Sequence, residues 1–384
     1  MLKTVIYGNI IISEIVKEFI EKKYNKEALA AGGEEMAVEY FAGDILRGQE
    51  PSVPLLSGSE LLQKLHNNDI QILIVPKECA MGGFSLPWTL FSNGISLENL
   101  YFADRLSKME TTDSIEILDY FTPFFETKYL GYLEFHVADH CNLNCKACEH
   151  YSGLVKEEVY PDYDKFEKDF TKFHNLIDDI GVLRILGGEP LMNKDINKYM
   201  KLARSLYPDA RIYVVTNGVL LKAMPEEFYK VMAEENIVLS ISFYPPMKDT
   251  MPEVLKLLDE KKVNYTLTPL NTEFGKKQIL EPQSDDETIM AFYKCSQKMC
   301  NNFYDGKVAA CFLPFTTKYF NEYFDKDLPE DGAIDIYELG MNTRRLKERL
   351  LYPFLRCRYC STETEMIPWD VMHNPSVLED WIKA

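Results

Sequence analysis

Three cysteines fall within eight residues, Cys141-Asn142-Leu143-Asn144-Cys145-Lys146-Ala147-Cys148, just past a strand-like apolar run at 133–137. Thiols spaced by three and then two residues converge only if the backbone wraps around a compact centre. Three are one short of a closed structural zinc site, which takes four ligands. A cube of four irons held by three cysteines instead leaves one iron open to another molecule. A zinc loop completed by His140 or His150 is the alternative at this point. The chain has nine cysteines, and five of the others, Cys295, Cys300, Cys311, Cys357 and Cys360, gather towards the C-terminal end. Met1-Leu2-Lys3-Thr4-Val5 opens a strand rather than a signal peptide, so a cytoplasmic chain is expected. There, clustered thiols serve metals or chemistry rather than disulfides.

The rest of the composition sets limits. With 384 residues, 46% hydrophobic and 27% charged, the chain can build two or three packed domains. No apolar run reaches the roughly 18 residues of a membrane span. Sixty acidic against 42 basic residues give a net charge of −18, which argues against wholesale binding of nucleic acid or anionic membranes.

Apolar periodicity predicts strands at 4–8, 37–41, 70–75 and 99–102, alternating with helices. One helix carries Ile12, Ile15, Val16 and Phe19, and Ser59 is expected to cap another. This is the pattern of a small Rossmann-like α/β domain over 1–107. Its first turn, Gly8-Asn9-Ile10-Ile11-Ile12, lacks the later glycines of a dinucleotide-binding loop, so docking or substrate positioning is the expected role. A linker follows at 108–130, with Thr111, Thr112 and Pro123. A second βα series begins at 133–137 and continues with strands at 182–186, 211–216, 237–243 and 264–268. Helical patterns separate them near 164–178, 193–206, 225–235 and 250–261. These are parts of a parallel barrel over 131–280, whose chemistry belongs on the loops after the strands. Residues 281–384 read as a small cysteine-dependent module.

The turns after these strands are distinctive: Gly187-Gly188-Glu189-Pro190 and Thr216-Asn217-Gly218, with Ser240 and Ser242 on the strand after those. Together with Cys141, Cys145 and Cys148, they make the sequence resemble the radical S-adenosylmethionine (radical SAM) superfamily. The resemblance implies a partial (β/α)6 barrel and a [4Fe-4S] cluster on the three cysteines. It also implies S-adenosylmethionine bound by the glycine-glutamate turn, with Thr216, Asn217, Ser240 and Ser242 contacting its carboxylate and ribose. Glycines would let backbone approach the ligand, and Glu189 would pair with its ammonium. An electron donor such as flavodoxin or ferredoxin is implied too. The family's usual aromatic residue before the third cysteine is Ala147 here, so Tyr151 or Phe243 is expected to pack on adenine.

The C-terminal cysteines resemble the auxiliary-cluster modules called twitch and SPASM. This implies a second [4Fe-4S] cluster on Cys295, Cys311, Cys357 and Cys360, with Cys311 ending a hairpin that turns at Asp305-Gly306. Four thiolates suit zinc equally well. Cys300 is then free, although it and Cys295 could exchange roles. A free Cys300 at the barrel mouth would be a candidate catalytic hydrogen-atom donor, with a buried apolar role as the alternative. Cys79 has no expected part. His136 is expected to line the barrel, Arg184 to point inward towards a carboxylate, and Tyr244-Pro245-Pro246 to form a rigid turn. Tyr319, Phe320, Tyr323 and Phe324 are expected in the core, with Arg344 and Arg345 on a helix surface. The expected activity is oxidation or epimerisation of a small, sugar-like metabolite. A peptide-modifying maturase and a non-enzymatic metal protein are the alternatives.

Overall fold

A computed structural model of the chain describes residues 1–43, 50–77, 82–106, 109 and 120–383. Cys79, Thr111 and Thr112, with about half of the expected linker, lie outside the described residues. Two compact units form. One comprises Met1–Gly131 with Thr343–Leu351, the other Tyr132–Asn342 with Tyr352–Ala384.

The first unit is built on six strands: β1 (Leu2–Tyr7), β2 (Met36–Ala42), β3 (Leu55–Leu56), β4 (Ile72–Pro76), β5 (Leu100–Ala103) and β6 (Phe121–Pro123). They lie in the order β3-β2-β1-β4-β5-β6, parallel except for β6. Ile6, Ile74, Val16, Ile20 and Phe41 form its core. Asn9 accepts the amide of Ile12 and starts the helix Ile10–Phe19, so the first turn is spent on capping. The helix Gly58–His66 is capped by Ser57 and not by Ser59. Glu60 lies three residues after Ser57, and the two close a reciprocal capping box.

In the second unit β7 (Tyr129–Ala138, whose first residues lie in the first unit), β8 (Asp179–Gly187), β9 (Arg211–Thr216), β10 (Val238–Ile241) and β11 (Tyr265–Leu267) supply one end of an eight-stranded sheet. Helices Tyr163–His174, Ile196–Leu206, Glu226–Glu234 and Met251–Lys261 alternate with them. The strands β12 (Glu273–Gln278), β13 (Asn302–Tyr304), β14 (Lys307–Ala309), β15 (Ile334–Asp335) and β16 (Cys360–Pro368) follow. The sheet order is β11-β10-β9-β8-β7-β13-β14-β15, with β13 parallel to β7. Asp305 and Gly306 both take positive φ in the β13–β14 turn, as a tight hairpin requires.

Strand pairing continues across residue 281, where a boundary is expected. β13 extends the sheet beside β7, and β12 pairs antiparallel with β16 across that position. The helix Thr343–Leu350 leaves this unit for the first one. There the buried Lys347 donates to the carbonyls of Phe124 (2.7 Å) and Thr127 (2.5 Å), and Arg344 pairs with Glu98 at 2.9 Å. Arg344 is thus an anchor as well as a surface charge.

One face of the large sheet packs on helices. Phe135 and Phe303 stack among Phe166 and Phe170, and Leu183, Ile185, Ile212, Val214, Leu239 and Ile241 are fully buried. By strand alternation, Tyr132, Glu134, His136, Arg184, Tyr213, Ser240 and Asn302 turn to the opposite, polar face. Among the described residues no helix is long and apolar enough to cross a membrane.

Candidate active site

The segment carrying Cys141, Cys145 and Cys148 leaves the end of β7. It wraps because Asn144, Ala147 and Tyr151 all take left-handed backbone, with φ of 49°, 54° and 57°. Each costs on the order of 1 kcal/mol, a strain that persists only where surrounding structure enforces it. The enforcement comes from far along the chain. The amide of Lys146 donates to the carbonyl of Asp370, that of Met372 donates to the carbonyl of Asn144, and Cys145 bridges to Val371.

Hydrogen-bond donors are already turned on the sulfurs. The Leu143 amide lies 3.5 Å from Cys141 Sγ, Asn217 Nδ2 lies 3.7 Å from the same atom, and Trp369 Nε1 lies 3.3 Å from Cys145 Sγ. Burial, the largest effect, pushes the Cys141 and Cys145 thiols up to about 12, and Cys148 adds to both. Without a cation these thiols keep their protons. A metal that displaces them finds N–H donors ready to stabilise thiolate.

Among the described residues no three His, Cys, Asp or Glu side chains are grouped to hold one metal ion. A single zinc with bonds of about 2.3 Å would draw its sulfurs to about 3.8 Å apart. A four-iron cube takes each thiolate on a different iron and needs them wider apart. The histidines considered for a zinc loop are otherwise employed. His140 accepts the Val159 amide at Nδ1 and meets Tyr160 Oη at Nε2, 3.0 and 3.1 Å away. His150 packs on Phe312, and burial drives its pKa down to about 3. The donor set fits a three-cysteine cluster.

The glycine-glutamate turn is held by contacts within the chain. A Cβ on Gly187 would sit 2.0 Å from the Ala138 carbonyl oxygen, and one on Gly188 would sit 2.1 Å from that of His140. These glycines let two backbone loops meet, fastening β8 to the root of the cysteine loop. Glu189 is fully buried. Its carboxylate accepts the Leu191 amide (3.0 Å), the Thr216 hydroxyl (2.7 Å) and the Asn217 amide (2.9 Å). Burial raises its pKa to about 7 against the opposing pull of those bonds. Pro190 is buried in the following turn. Asn217 then bonds Asn142 at 2.8 Å, so Glu189 acts on the cysteine loop through Thr216-Asn217-Gly218. Ser240 and Ser242 are partly exposed, and the Ser242 amide bonds the Thr216 carbonyl.

Tyr151 is not available for stacking on adenine. It is buried against Phe320 and Trp381, and its hydroxyl accepts from Arg356. Phe243 is partly exposed beyond β10. Two other aromatics, Tyr244 of the expected rigid turn and Trp369, which the sequence does not single out, face the cysteines. Tyr244 feels the charge of all three thiols and stacks on Trp369 at 6.0 Å, which in turn donates to Cys145. No local motif marks Trp369. Phe320 is fully buried as expected, and Tyr319 donates a hydrogen bond to Asp139.

A cavity of about 190 Å³ is lined by Cys295, Cys311, Cys357 and Cys360, with Glu149, Lys277, Gln278 and Lys298 among its walls. Cys311 is held well above the ordinary thiol range, first by burial and then by Cys357 and Cys295. Gln278 Nε2 approaches Cys360 Sγ at 3.7 Å across the β12–β16 pair. Cys300 does not line this cavity. Burial raises its thiol, and its charged neighbours are Glu134 and Arg184 on the polar face of the sheet, with Cys295.

The radical SAM superfamily profile matches residues 136–275, so the chain contains a radical SAM domain. Curated relatives include the GTP 3',8-cyclase of Sulfurimonas denitrificans, 27% identical over 158 residues, 37% of this chain and 48% of that protein. The GTP 3',8-cyclase of Nautilia profundicola is 28% identical over 228 residues, 56% of this chain and 70% of that protein. The chain thus spans about half the length of the Sulfurimonas relative. Among solved structures, BtrN in complex with AdoMet and 2-DOIA is similar at 16% identity and a TM-score of 0.38, covering 62% of this chain and 93% of that one.

Proposed function

With a radical SAM domain at residues 136–275 as premise, we propose that the chain is an enzyme for a small polar metabolite. It would bind a four-iron cluster on Cys141, Cys145 and Cys148 with S-adenosylmethionine beside it. Bound there, cluster and cosubstrate supply a 5′-deoxyadenosyl radical that takes a hydrogen atom from substrate. The protein's own work is placement. Glu189, a positioning residue, fixes the turn whose Asn217 braces Cys141 and Asn142. Ser240 and Ser242 offer hydroxyls to the cosubstrate, and Tyr244 with Trp369 replaces the aromatic cover that Ala147 lacks. Cys295, Cys311, Cys357 and Cys360 would hold a second four-iron cluster. Cys300, left free, would return a hydrogen atom to the substrate in an epimerisation. An oxidation would instead pass the electron to the second cluster, with flavodoxin or ferredoxin as the external donor for the first.

The observation that carries this reading is the set of N–H donors from Leu143, Asn217 and Trp369 aimed at cysteine sulfurs held in a strained wrap. Incubation of the reconstituted protein with reductant and S-adenosylmethionine should release 5′-deoxyadenosine, and Cys145→Ala should abolish it. Wild-type protein that releases none with any reductant would refute the enzyme. The relatives' name supports a second reading, cyclisation of a nucleotide. Incubation with GTP tests it, and unchanged GTP alongside 5′-deoxyadenosine would exclude it.

A further inference from the structure

The polar face of the large sheet carries a cation with nothing bonded to it. Arg184 lies in the middle of β8 between two fully buried neighbours, Leu183 and Ile185, and turns the other way. Its guanidinium carbon stands 5.5 Å from the ring centre of Tyr132 and 5.9 Å from that of Tyr213, its register partner on β9. Among the described residues it makes no hydrogen bond or ion pair, and its Nε is buried without a partner.

The carboxylate within electrostatic reach is engaged elsewhere. Glu134 accepts the Tyr132 hydroxyl at 2.6 Å and Asn302 Nδ2 at 3.2 Å, and burial raises its proton affinity. Two further groups on this face are buried with unused hydrogen-bonding capacity, His136 Nε2 and Asn302 Oδ1. Cys300 is within electrostatic reach of Glu134 and Arg184.

An arginine keeps its charge in proteins and offers five N–H donors in a planar fork. Two aromatic faces offset only part of the cost of burying its Nε, while the partly exposed residue leaves the end of the fork open to a ligand. Buried donors are almost always satisfied, and a guanidinium left open is shaped for bidentate contact with a carboxylate or phosphate. The uncommitted His136 and Asn302 atoms on the same face, near Glu134, suit hydroxyl groups.

We propose that Arg184 anchors the substrate through an oxyanion, a carboxylate or phosphate group, and that the substrate is a hydroxylated anion lying along the polar face beside Cys300. This rests on the proposed function and narrows its substrate class. The two fail separately: loss of the enzyme reading shows as no 5′-deoxyadenosine from wild-type protein, whereas failure here leaves that product and removes the anion site.

Inorganic phosphate is the probe. Reconstituted wild-type protein with S-adenosylmethionine is dialysed against labelled phosphate at constant ionic strength, beside Arg184→Met, which keeps the length of the stem, and Arg184→Lys. Wild type should bind phosphate, Arg184→Met at least ~10-fold more weakly, and Arg184→Lys in between. Should the variants fail to fold, wild-type crystals soaked in selenate decide the matter. Anomalous density within hydrogen-bond reach of the Arg184 fork supports the anchor, and its absence overturns it. No phosphate binding by wild type, or equal binding by Arg184→Met, also overturns it.

Discussion

Gly188→Ala should disable the site without unfolding the protein, and the structure gives the size of the effect. Gly188 has no left-handed backbone to preserve, so the added methyl acts by contact alone. It would lie 2.1 Å from the His140 oxygen, 2.4 Å from its carbon and 2.8 Å from the Asp139 oxygen, all backbone atoms that cannot swing aside. Relief requires the β8 turn and the root of the cysteine loop to part by about 1 Å. Parting them loosens two hydrogen bonds, Gly188 N–H to the Ala138 oxygen (2.7 Å) and Glu189 N–H to the His140 oxygen (3.1 Å). At about 1 kcal/mol each, with about 1–3 kcal/mol for overpacking, the cost is about 3–5 kcal/mol. That is less than the stability of most domains, so the chain stays folded with a midpoint roughly 10 °C lower. Cys141 immediately follows His140, and a 1 Å misplacement at reacting groups costs about 100-fold. Release of 5′-deoxyadenosine should fall by at least about that factor while circular dichroism stays native. Gly94→Ala is the control. It is in the first unit with no atom within 4 Å of the new methyl, so it meets only backbone strain at φ +72°. A Gly188→Ala protein that turns over within twofold of wild type would show that this loop contact does not position the cysteines.

Other outcomes follow from the same geometry. The native state holds a proton on Glu189 up to about pH 7, well above its ordinary 4.5. Its contribution is therefore full below about pH 4.5 and is lost as pH rises to about 7, some 3 kcal/mol in all. Urea unfolding of cluster-free wild type should show this decline between about pH 4.5 and 7, and Glu189→Gln should lack it; parallel profiles would refute the assignment. Iron analysis after anaerobic reconstitution should give about eight irons in wild type and Cys300→Ser and about four in Cys295→Ser; the reverse pattern for the two variants would move the ligand role to Cys300. Trp369→Phe deletes the N–H aimed at Cys145 Sγ. A bond of about 1 kcal/mol that favours the reduced cluster corresponds to roughly 40 mV, so a redox titration followed by electron paramagnetic resonance should find the potential that much more negative.

What the sequence reveals here divides by distance along the chain. β9 occupies Arg211–Thr216, the expected 211–216, because an alternating apolar run ended by Thr-Asn-Gly is a local signal. The Asp305-Gly306 hairpin is equally local. The contacts that complete the site are not. Trp369 reaches Cys145 across more than two hundred residues, Gln278 meets Cys360 only because β12 pairs with β16, and Thr343–Leu350 joins the first unit through the buried Lys347. None of these leaves a periodicity, since each depends on where two remote segments end up in space. The glycine pair is expected to let backbone approach a ligand, and the structure adds a close approach to the Ala138–His140 backbone, which the sequence cannot indicate. Tyr151 shows the opposite failure. Its place beside the cysteines suggested a ligand contact, but a left-handed φ of 57° turns it into the core under Trp381. Motif residues are thus legible as a set, while their individual partners are decided by the fold. Arg184 is the instructive exception, because strand alternation alone turns it inward. The structure then adds what no pattern could: two flanking rings, an occupied carboxylate and an unbonded guanidinium.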